Sequence, residues 1–249
     1  MNAFRLAGAA LAFLLLLCPR PGQAASFQVD PVRVHLEPGR VVETLVVRND
    51  GEGVLRFEAT LLRWEMAADG SWVQTPSDDL VLHPQYLEVP ARGEARMRVG
   101  TLEPIPADAP QRAYRIELMQ QADPAAPAGT ALQMLTKVSL PVFVGGAGPP
   151  RPVLRALRFT PDGLSLALAN QGGRYLPQQA AQVRLLDAAG RELAVLAPGI
   201  GYVLPGAELP LRLPLPAHAC RAARVLELVP AEGAPVRAEL PAGERHCGR

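Results

Sequence analysis

Apolar and polar residues alternate along most of this chain, in short segments separated by glycine, proline, aspartate and asparagine. A period of two is typical of strands with one buried face, and glycine and proline mark the turns between them. The pattern predicts seven strands in the first half of the chain, at residues 27–36, 41–48, 55–65, 80–89, 95–101, 113–120 and 129–144. It predicts seven more in the second half, at residues 153–159, 164–170, 181–186, 192–197, 208–215, 224–229 and 236–240.

Seven short strands with regular turns are typical of one immunoglobulin-like β-sandwich. The 26 prolines of the chain disfavour long helices. A stretch rich in glycine and proline, residues 145–152, separates the two sets of strands. We therefore expect an all-β fold with two immunoglobulin-like β-sandwich domains, residues 25–144 and 153–249, joined by a short linker at residues 145–152.

The seventh predicted strand, residues 129–144, is unusually long for a small sandwich. At about 3.3 Å per residue it would span roughly 50 Å, whereas typical strands have about 5–6 residues. Its apolar face consists of every second residue, namely Leu132, Met134, Thr136, Val138, Leu140 and Val142. A long apolar strand at a sheet edge promotes aggregation unless another polypeptide pairs with it. The segment therefore indicates a protein that binds other chains.

The first 24 residues have the features of a secretory signal peptide. Arg5 and the amino terminus supply positive charge, residues 6–17 are apolar, and small residues follow at Gly22 and Ala24. The apolar run is shorter than the about 20 residues that a membrane span needs. We therefore expect an exported, soluble mature protein without membrane insertion.

The composition and motifs give little support for nucleic-acid binding or catalysis. The formal net charge is +1 and the arginines are dispersed, without the basic patch of a nucleic-acid-binding protein. The four histidines lack the spacing of metal ligands, and the sequence contains no nucleophile elbow, P-loop or dinucleotide fingerprint. We therefore expect a protein that is not an enzyme and that needs no cofactor or metal.

Two cysteines, Cys220 and Cys247, lie beyond the predicted signal peptide. Because exported proteins fold in an oxidising compartment, we expect these cysteines to form a disulfide in the second domain. The alternative, two free thiols, is less compatible with export.

Arg33 and Lys137, the only lysine of the chain, alternate out of phase with the apolar residues of their strands. Val32, Val34 and Leu36 are expected to face the core, so that Arg33 faces the other side. If the two cations converge between the domains, a guanidinium and an ammonium form a receptor for a carboxylate. On the residues alone, two solvated surface charges are the favoured interpretation.

Five segments follow one another in an order that is specific, although no single segment is. They are DPVRVHLEPGRVVETLVVRNDG, RWEMAADGSWVQTPSDDLVLHPQYLEVPARGEARMRVG, QRAYRIELMQQ, ALQMLTKVSLPVFV and LANQGGRYL. In this order they resemble the PapD-like family, the periplasmic chaperones of chaperone–usher pilus assembly, over essentially the whole mature chain. The long apolar last strand looks closest to the archaic branch of that family.

The resemblance implies that the last strand of the first domain is lent to a pilus subunit that lacks one strand. Main-chain hydrogen bonds then complete the sheet of the subunit, and alternate side chains fill its groove. The resemblance implies that Leu132 and Met134 insert into this groove, with Thr130 and Thr136 on either side of them.

The resemblance also places Arg33 and Lys137 at a conserved arginine and a conserved lysine that bind the carboxylate at the C-terminus of the subunit. Such an anchor sets the register of pairing, which decides the face on which every side chain lies. The expected protein is a non-enzymatic periplasmic chaperone whose partners are pilus subunits and an outer-membrane usher.

Two other functions stay open: an exported structural or adhesive module such as a pilus subunit, and, with less support, an exported hydrolase. The sequence also leaves open whether the protein associates with itself when no subunit is bound.

Overall fold

The computed structural model describes residues 26–122 and 134–242, together with Arg245 and Cys247. These residues form eighteen strands in four sheets and one short helix. The predicted all-β fold with two immunoglobulin-like sandwiches is confirmed. Among the described residues, no helix has the length and apolar character that crossing a bilayer requires.

The first sandwich contains ten strands. They are β1 (Phe27–Asp30), β2 (Val34–Leu36), β3 (Val42–Asn49), β4 (Leu55–Met66), β5 (Trp72–Pro76), β6 (Val81–His83), β7 (Tyr86–Val89), β8 (Glu94–Gly100), β9 (Arg112–Gln120) and β10 (Lys137–Val144). One sheet has the order β1-β3-β8-β6, and the other has the order β2-β10-β9-β4-β5, with β7 also paired to β4. Strand β2 runs parallel to β10, and β10 runs antiparallel to β9.

Side chains from the two sheets meet in one buried apolar core, because every second residue of each strand points inward. Its fully buried members include Val34, Leu36, Leu45, Val47, Phe57, Met97, Val99, Ile116, Leu118 and Val142. Leu140 is also buried in this core, and Val138 packs against it. From Val138 onward, the inward-facing side chains of β10 therefore pack in this core.

Two of the predicted strands are each divided between the two sheets. The prediction for residues 27–36 covers β1 and β2, and the prediction for residues 80–89 covers β6 and β7. Pro31 and Pro84 lie at the two breaks, where the chain crosses from one sheet to the other. Because proline has no main-chain N–H, it interrupts a ladder of strand hydrogen bonds.

The sequence pattern missed strand β5, which pairs with β4 from Leu62 to Met66. All five residues of β5 are exposed. A strand without a buried face shows no apolar alternation, so the periodicity that located the other strands is absent here.

The last strand of the first sandwich begins at Lys137, so the predicted strand at residues 129–144 is wrong at its described residues 134–136. The neighbouring strand β9 ends at Gln120, and its last pair with β10 joins Met119 to Lys137. The side-chain amide oxygen of Gln120 accepts a hydrogen bond from the N–H of Thr136. The main-chain N–H of Gln120 still donates to the carbonyl oxygen of Thr136 at 2.9 Å, but the side chain replaces the main-chain carbonyl of Gln120 as the acceptor for Thr136, and regular pairing ends there.

The second sandwich contains eight strands and the helix α1 (Ala217–Ala222). The strands are β11 (Pro152–Thr160), β12 (Gly163–Asn170), β13 (Gln179–Leu186), β14 (Glu192–Leu196), β15 (Gly199–Ile200), β16 (Glu208–Leu213), β17 (Val225–Pro230) and β18 (Val236–Glu239). One sheet has the order β11-β12-β16, and the other has the order β14-β13-β17-β18, with β15 on β13. A separate apolar core, from Leu154 to Leu240, lies between them. The bounds of the two domains stay a prediction.

The C-terminal segment is tied to α1 by a disulfide between Cys220 and Cys247. Arg245 adds two hydrogen bonds to the same end of the helix, from its guanidinium to the carbonyl oxygens of Cys220 at 2.8 Å and Ala223 at 2.6 Å. The guanidinium also lies 4.4 Å from the centre of the Phe159 ring on β11. The disulfide and Arg245 together hold the chain end against the second sandwich.

We expect the double variant Cys220→Ser, Cys247→Ser to have a free energy of unfolding about 3–4 kcal/mol lower than the wild type. The two cysteines are 27 residues apart, and opening a loop of that length restores entropy to the unfolded chain. Urea denaturation followed by circular dichroism measures the difference. A reductant should destabilise the wild type and leave the double variant unchanged. Equal effects of the reductant on both proteins would contradict this account.

Candidate functional site

One face of the β2-β10-β9-β4-β5 sheet points away from the first core and toward the second sandwich. The strand register arranges the residues of this outer face in rows across the sheet. The rows are His35, Phe143 and Ala113; then Pro141, Arg115 and Leu62; then Ser139, Glu117 and Thr60; then Lys137, Met119 and Glu58. Arg33 lies in the bend just before β2, and its side chain reaches the same face, where it contacts the second sandwich.

Aromatic side chains from both sandwiches meet at the top of this face, in what we call the interdomain cleft. Trp64 and Phe143 come from the first sandwich, and Tyr175 and Tyr202 come from the second. The rings of Phe143 and Tyr175 stack with their centres 3.7 Å apart, and Trp64 meets Tyr202 edge to face at 5.3 Å. Each aromatic pair of this kind adds about 0.5–1.5 kcal/mol to the free energy of burial alone. The cluster therefore fixes how the outer face meets the second sandwich.

Arg33 lies at the edge of the interdomain cleft. Its Nη2 donates a hydrogen bond of 2.9 Å to the hydroxyl oxygen of Tyr202. Its guanidinium carbon is 5.9 Å from the centre of the Tyr175 ring and 5.8 Å from that of Tyr202. These contacts hold the guanidinium against the second sandwich, with its remaining N–H groups available to an acceptor.

Lys137 lies on the same outer face, four residues before Pro141 on β10, which corresponds to roughly 13 Å of strand. Its Nζ is 2.6 Å from a carboxylate oxygen of Glu117 on β9. Nearly half of the lysine side chain is exposed, whereas the side chain of Glu117 is mostly buried. The structure thus places Arg33 and Lys137 on one face, but each has its own partner.

Of the four residues expected to enter a subunit groove, two are described. Met134 is 81 % exposed and Thr136 is also exposed, and neither lies in a strand. Thr130 and Leu132 lie outside the described residues.

An apolar groove of about 490 Å³ runs beside the start of β10, between the two sheets of the first sandwich. It is lined by Ser26, Phe27, Val29, Val32, Thr136, Val138 and Leu140. The prediction that Val32 faces the core is wrong, since this side chain is 71 % exposed. Val32 lies where the chain crosses from β1 to β2, so the alternation of a continuous strand does not apply to it.

The edge of β10 beside this groove is open. Strand β2 pairs with β10 only at Val142, Phe143 and Val144. From Lys137 to Pro141, β10 has no strand partner on that side among the described residues. An open strand edge with apolar side chains next to it is a surface on which another strand can add.

Arg115 is a further cation of the outer face that the sequence analysis missed. Its guanidinium carbon lies 3.9 Å from the centre of the Trp64 ring and 6.0 Å from that of Tyr202. Burial lowers the pKa of Arg115 from its ordinary value, although an arginine stays charged at any physiological pH. The sequence did contain one indication of this position. Arg115 lies between Tyr114 and Ile116 on β9, which are both buried, so its side chain points to the opposite face.

Neither a family model nor a curated protein sequence matches this chain. Solved structures of pilus chaperones do match it over most of its length. A chain of the CsuC–CsuE chaperone–tip adhesion subunit pre-assembly complex, from archaic chaperone–usher Csu pili of Acinetobacter baumannii, is 17% identical. Its TM-score is 0.58, and the match covers 87% of this chain and 98% of that one.

Two further structures give similar values. The complex of the SafA pilin with the SafB chaperone of Salmonella enterica contains a chain that is 18% identical to this one. Its TM-score is 0.55, and the match covers 88% of this chain and 98% of that one. The CupB2 chaperone of Pseudomonas aeruginosa is 15% identical, with a TM-score of 0.53 and coverage of 86% and 100%. The chain has the fold of the pilus chaperones.

The likeness in fold that the five ordered segments predict is therefore confirmed. At these low sequence identities, the comparison supports a shared arrangement of strands and sandwiches. The roles of the individual side chains on the outer face follow from their own geometry.

His35 is the titratable group in the middle of the interdomain cleft. Its ring stacks between Phe143, at 5.6 Å, and Tyr175, at 6.0 Å. Burial lowers the pKa of His35 from its ordinary value of 6.5, and the positive charge of Arg33 lowers it further. The imidazole is therefore neutral at neutral pH in the folded protein.

We expect the free energy of unfolding to fall as the pH decreases from about 6.5 toward the lower pKa of the folded state. In that window the unfolded chain takes up a proton at His35 before the folded chain does, which favours unfolding. Urea denaturation at about pH 7.5 and about pH 5.5 measures this loss. The variant His35→Gln should lose less stability over the same interval, whereas His83→Gln, exposed on β6, should behave as the wild type. An equal loss in all three proteins would refute the assignment.

Proposed function

We propose that this protein is a periplasmic chaperone that binds pilus subunits and delivers them to an outer-membrane usher. The observation that supports this most directly is the open edge of β10 beside an apolar groove, in a fold shared with solved pilus chaperones. The main-chain groups of residues 137–141 on that side can pair with a strand of another chain. The proposal includes export by the signal peptide at residues 1–24.

Donation of a strand is the proposed mode of binding. Leu132 and Met134 insert into the groove of a subunit, and Thr130 and Thr136 lie on either side of them. The exposure of Met134 supports this proposal, because a large apolar side chain held in solvent gains free energy when a partner covers it. The segment before Lys137 is then a binding segment rather than part of the core of the chaperone.

Arg33 and Lys137 are the proposed anchor for the carboxylate at the C-terminus of the subunit. Both cations lie on the outer face, and Arg33 is oriented by its hydrogen bond to Tyr202. The ammonium group of Lys137 has three N–H donors, and its side chain is nearly half exposed. It can therefore bind the carboxylate of the subunit while it stays in contact with Glu117.

We propose binding and transfer, and no catalysis. The subunit is released when a strand with higher affinity replaces the donated segment in its groove, so that the exchange itself supplies the driving force.

We expect Arg33→Ala and Lys137→Ala each to reduce subunit capture about tenfold or more, through the loss of a charge-assisted hydrogen bond. The measurement is an affinity pull-down from native periplasm with the tagged mature protein, followed by mass spectrometry. Arg98→Ala, on the other sheet of the first sandwich, is the control and should capture as much as the wild type. Circular dichroism should show all three variants folded.

Equal capture by the wild type and the two anchor variants would exclude Arg33 and Lys137 as the anchor. If the wild type captures no small β-rich exported protein and instead forms polymers with itself, an adhesive or structural module is the better interpretation.

We expect Met134→Glu to reduce capture strongly, because a carboxylate cannot enter an apolar groove without losing its hydration. The change should leave the free energy of unfolding unchanged, since Met134 is 81 % exposed. Leu102→Glu is the matched control, because Leu102 is 90 % exposed and lies outside the proposed binding segment. If both variants capture as much as the wild type, Met134 is not an inserted residue.

A further inference from the structure

Arg115 and Arg33 lie on opposite sides of β10. Arg115 pairs with Pro141 on one side of β10. On the other side, β2 begins with Val34 beside Val142, and Arg33 lies in the bend just before it. Both side chains point to the outer face, where they approach the interdomain cleft.

The ring of Tyr202 lies close to both guanidinium groups. The guanidinium carbon of Arg33 is 5.8 Å from the centre of the Tyr202 ring, and that of Arg115 is 6.0 Å from the same centre. Arg33 is held by its hydrogen bond to the Tyr202 hydroxyl, and Arg115 is held by stacking on Trp64 at 3.9 Å. Stacking covers a face of the guanidinium and leaves the N–H groups at its edge available to an acceptor.

Arg115 lacks the acceptors that a partly buried guanidinium normally has. Its Nε is buried without a hydrogen-bond partner. Glu117 is the carboxylate nearest to it along β9, and that carboxylate is in contact with Lys137 at 2.6 Å. Buried polar groups are satisfied in the great majority of cases, so each exception calls for an explanation. A ligand that supplies the missing acceptor is one such explanation.

The charges of the outer face favour an anionic ligand. Arg33 and Arg115 lie at the cleft, whereas Lys137 lies farther along the outer face in contact with Glu117. Arg56, on the same face of β4, pairs with Glu88, and Glu58 accepts hydrogen bonds from Tyr86 and Gln121. Among the described residues, neither Arg33 nor Arg115 has a hydrogen bond or ion pair to a carboxylate, and Glu117 attracts Arg115 only at longer range.

We infer that Arg115 is a further binding residue for the terminal carboxylate of the bound chain, acting with Arg33 from the opposite side of β10. The inference rests on the proposed function, which it extends from two cations to three. A carboxylate has two oxygens and can accept from two guanidinium groups at once. Tyr202 and Trp64 orient the two donors before the ligand arrives, which reduces the entropy lost on binding.

The test compares two synthetic peptides that cover the last strand of a subunit captured by the wild-type protein. One peptide ends in a free carboxylate, and the other is identical but ends in an amide. Isothermal titration measures the affinity of each peptide for the wild type, Arg115→Gln, Arg115→Lys, Arg33→Ala and the control Arg98→Gln. Because a misfolded variant loses affinity for both peptides, the amide peptide reports on folding in the same experiment.

The wild type and Arg98→Gln should bind the free acid about tenfold or more tightly than the amide. In Arg115→Gln this preference should largely disappear, with the affinity for the amide unchanged. Arg115→Lys should keep part of the preference, because lysine retains the charge but not the planar fork.

Three results overturn the inference in distinguishable ways. If Arg115→Gln keeps the full preference while Arg33→Ala loses it, Arg115 is not a binding residue and the proposed function stands. If Arg115→Gln weakens both peptides equally, Arg115 acts only on the packing of the cleft. If the wild type binds both peptides equally, the carboxylate anchor of the proposed function fails, and the role of Arg115 fails with it.

Discussion

Main-chain N–H and C=O groups along a strand need partners, and the first sandwich leaves this requirement unmet on one side of β10. Strand β2 is only three residues long, because the chain leaves the first sheet near Pro31 and joins β10 beside Val142. Everything from Lys137 to Pro141 is therefore open to a further strand among the described residues. An apolar groove lies next to this edge, which is why we propose that a partner chain pairs there.

The two sandwiches contribute different residues near the open edge of β10. The first supplies β10 and the cations of the outer face, and the second supplies Tyr175 and Tyr202, which close the interdomain cleft. The stacking of Phe143 on Tyr175 joins the end of β10 to the second sandwich. Strand β10 is held at the end near the cleft and is open at its beginning. The register of a bound strand would therefore be fixed near the cleft and less constrained farther along β10.

The cations of the proposed anchor are held in different ways. Lys137 is paired with the mostly buried carboxylate of Glu117. Arg33 and Arg115 are held by aromatic side chains instead, and aromatic rings orient a guanidinium without using up its hydrogen bonds. The proposed anchor therefore combines two arginines oriented by aromatic rings with a lysine that is paired with Glu117.

The sequence by itself determined the all-β class, the two sandwiches and the outward phase of Lys137 on β10, because alternation along a strand depends only on which face is buried. It misplaced the elements whose bounds depend on a partner. The strands at residues 27–36 and 80–89 are divided between sheets, β5 has no buried face to detect, and β10 begins only where β9 can pair with it.

Only the tertiary structure decided which side chains meet at the site. The hydrogen bond from Arg33 to Tyr202 joins residues 169 positions apart, and the stacking of Arg115 on Trp64 depends on the pairing of β4 with β9. Period-two alternation states which face a side chain is on, but not which neighbours share that face. Those neighbours are set by the order of strands in the sheet and by the docking of the second sandwich, neither of which is a local property of the chain.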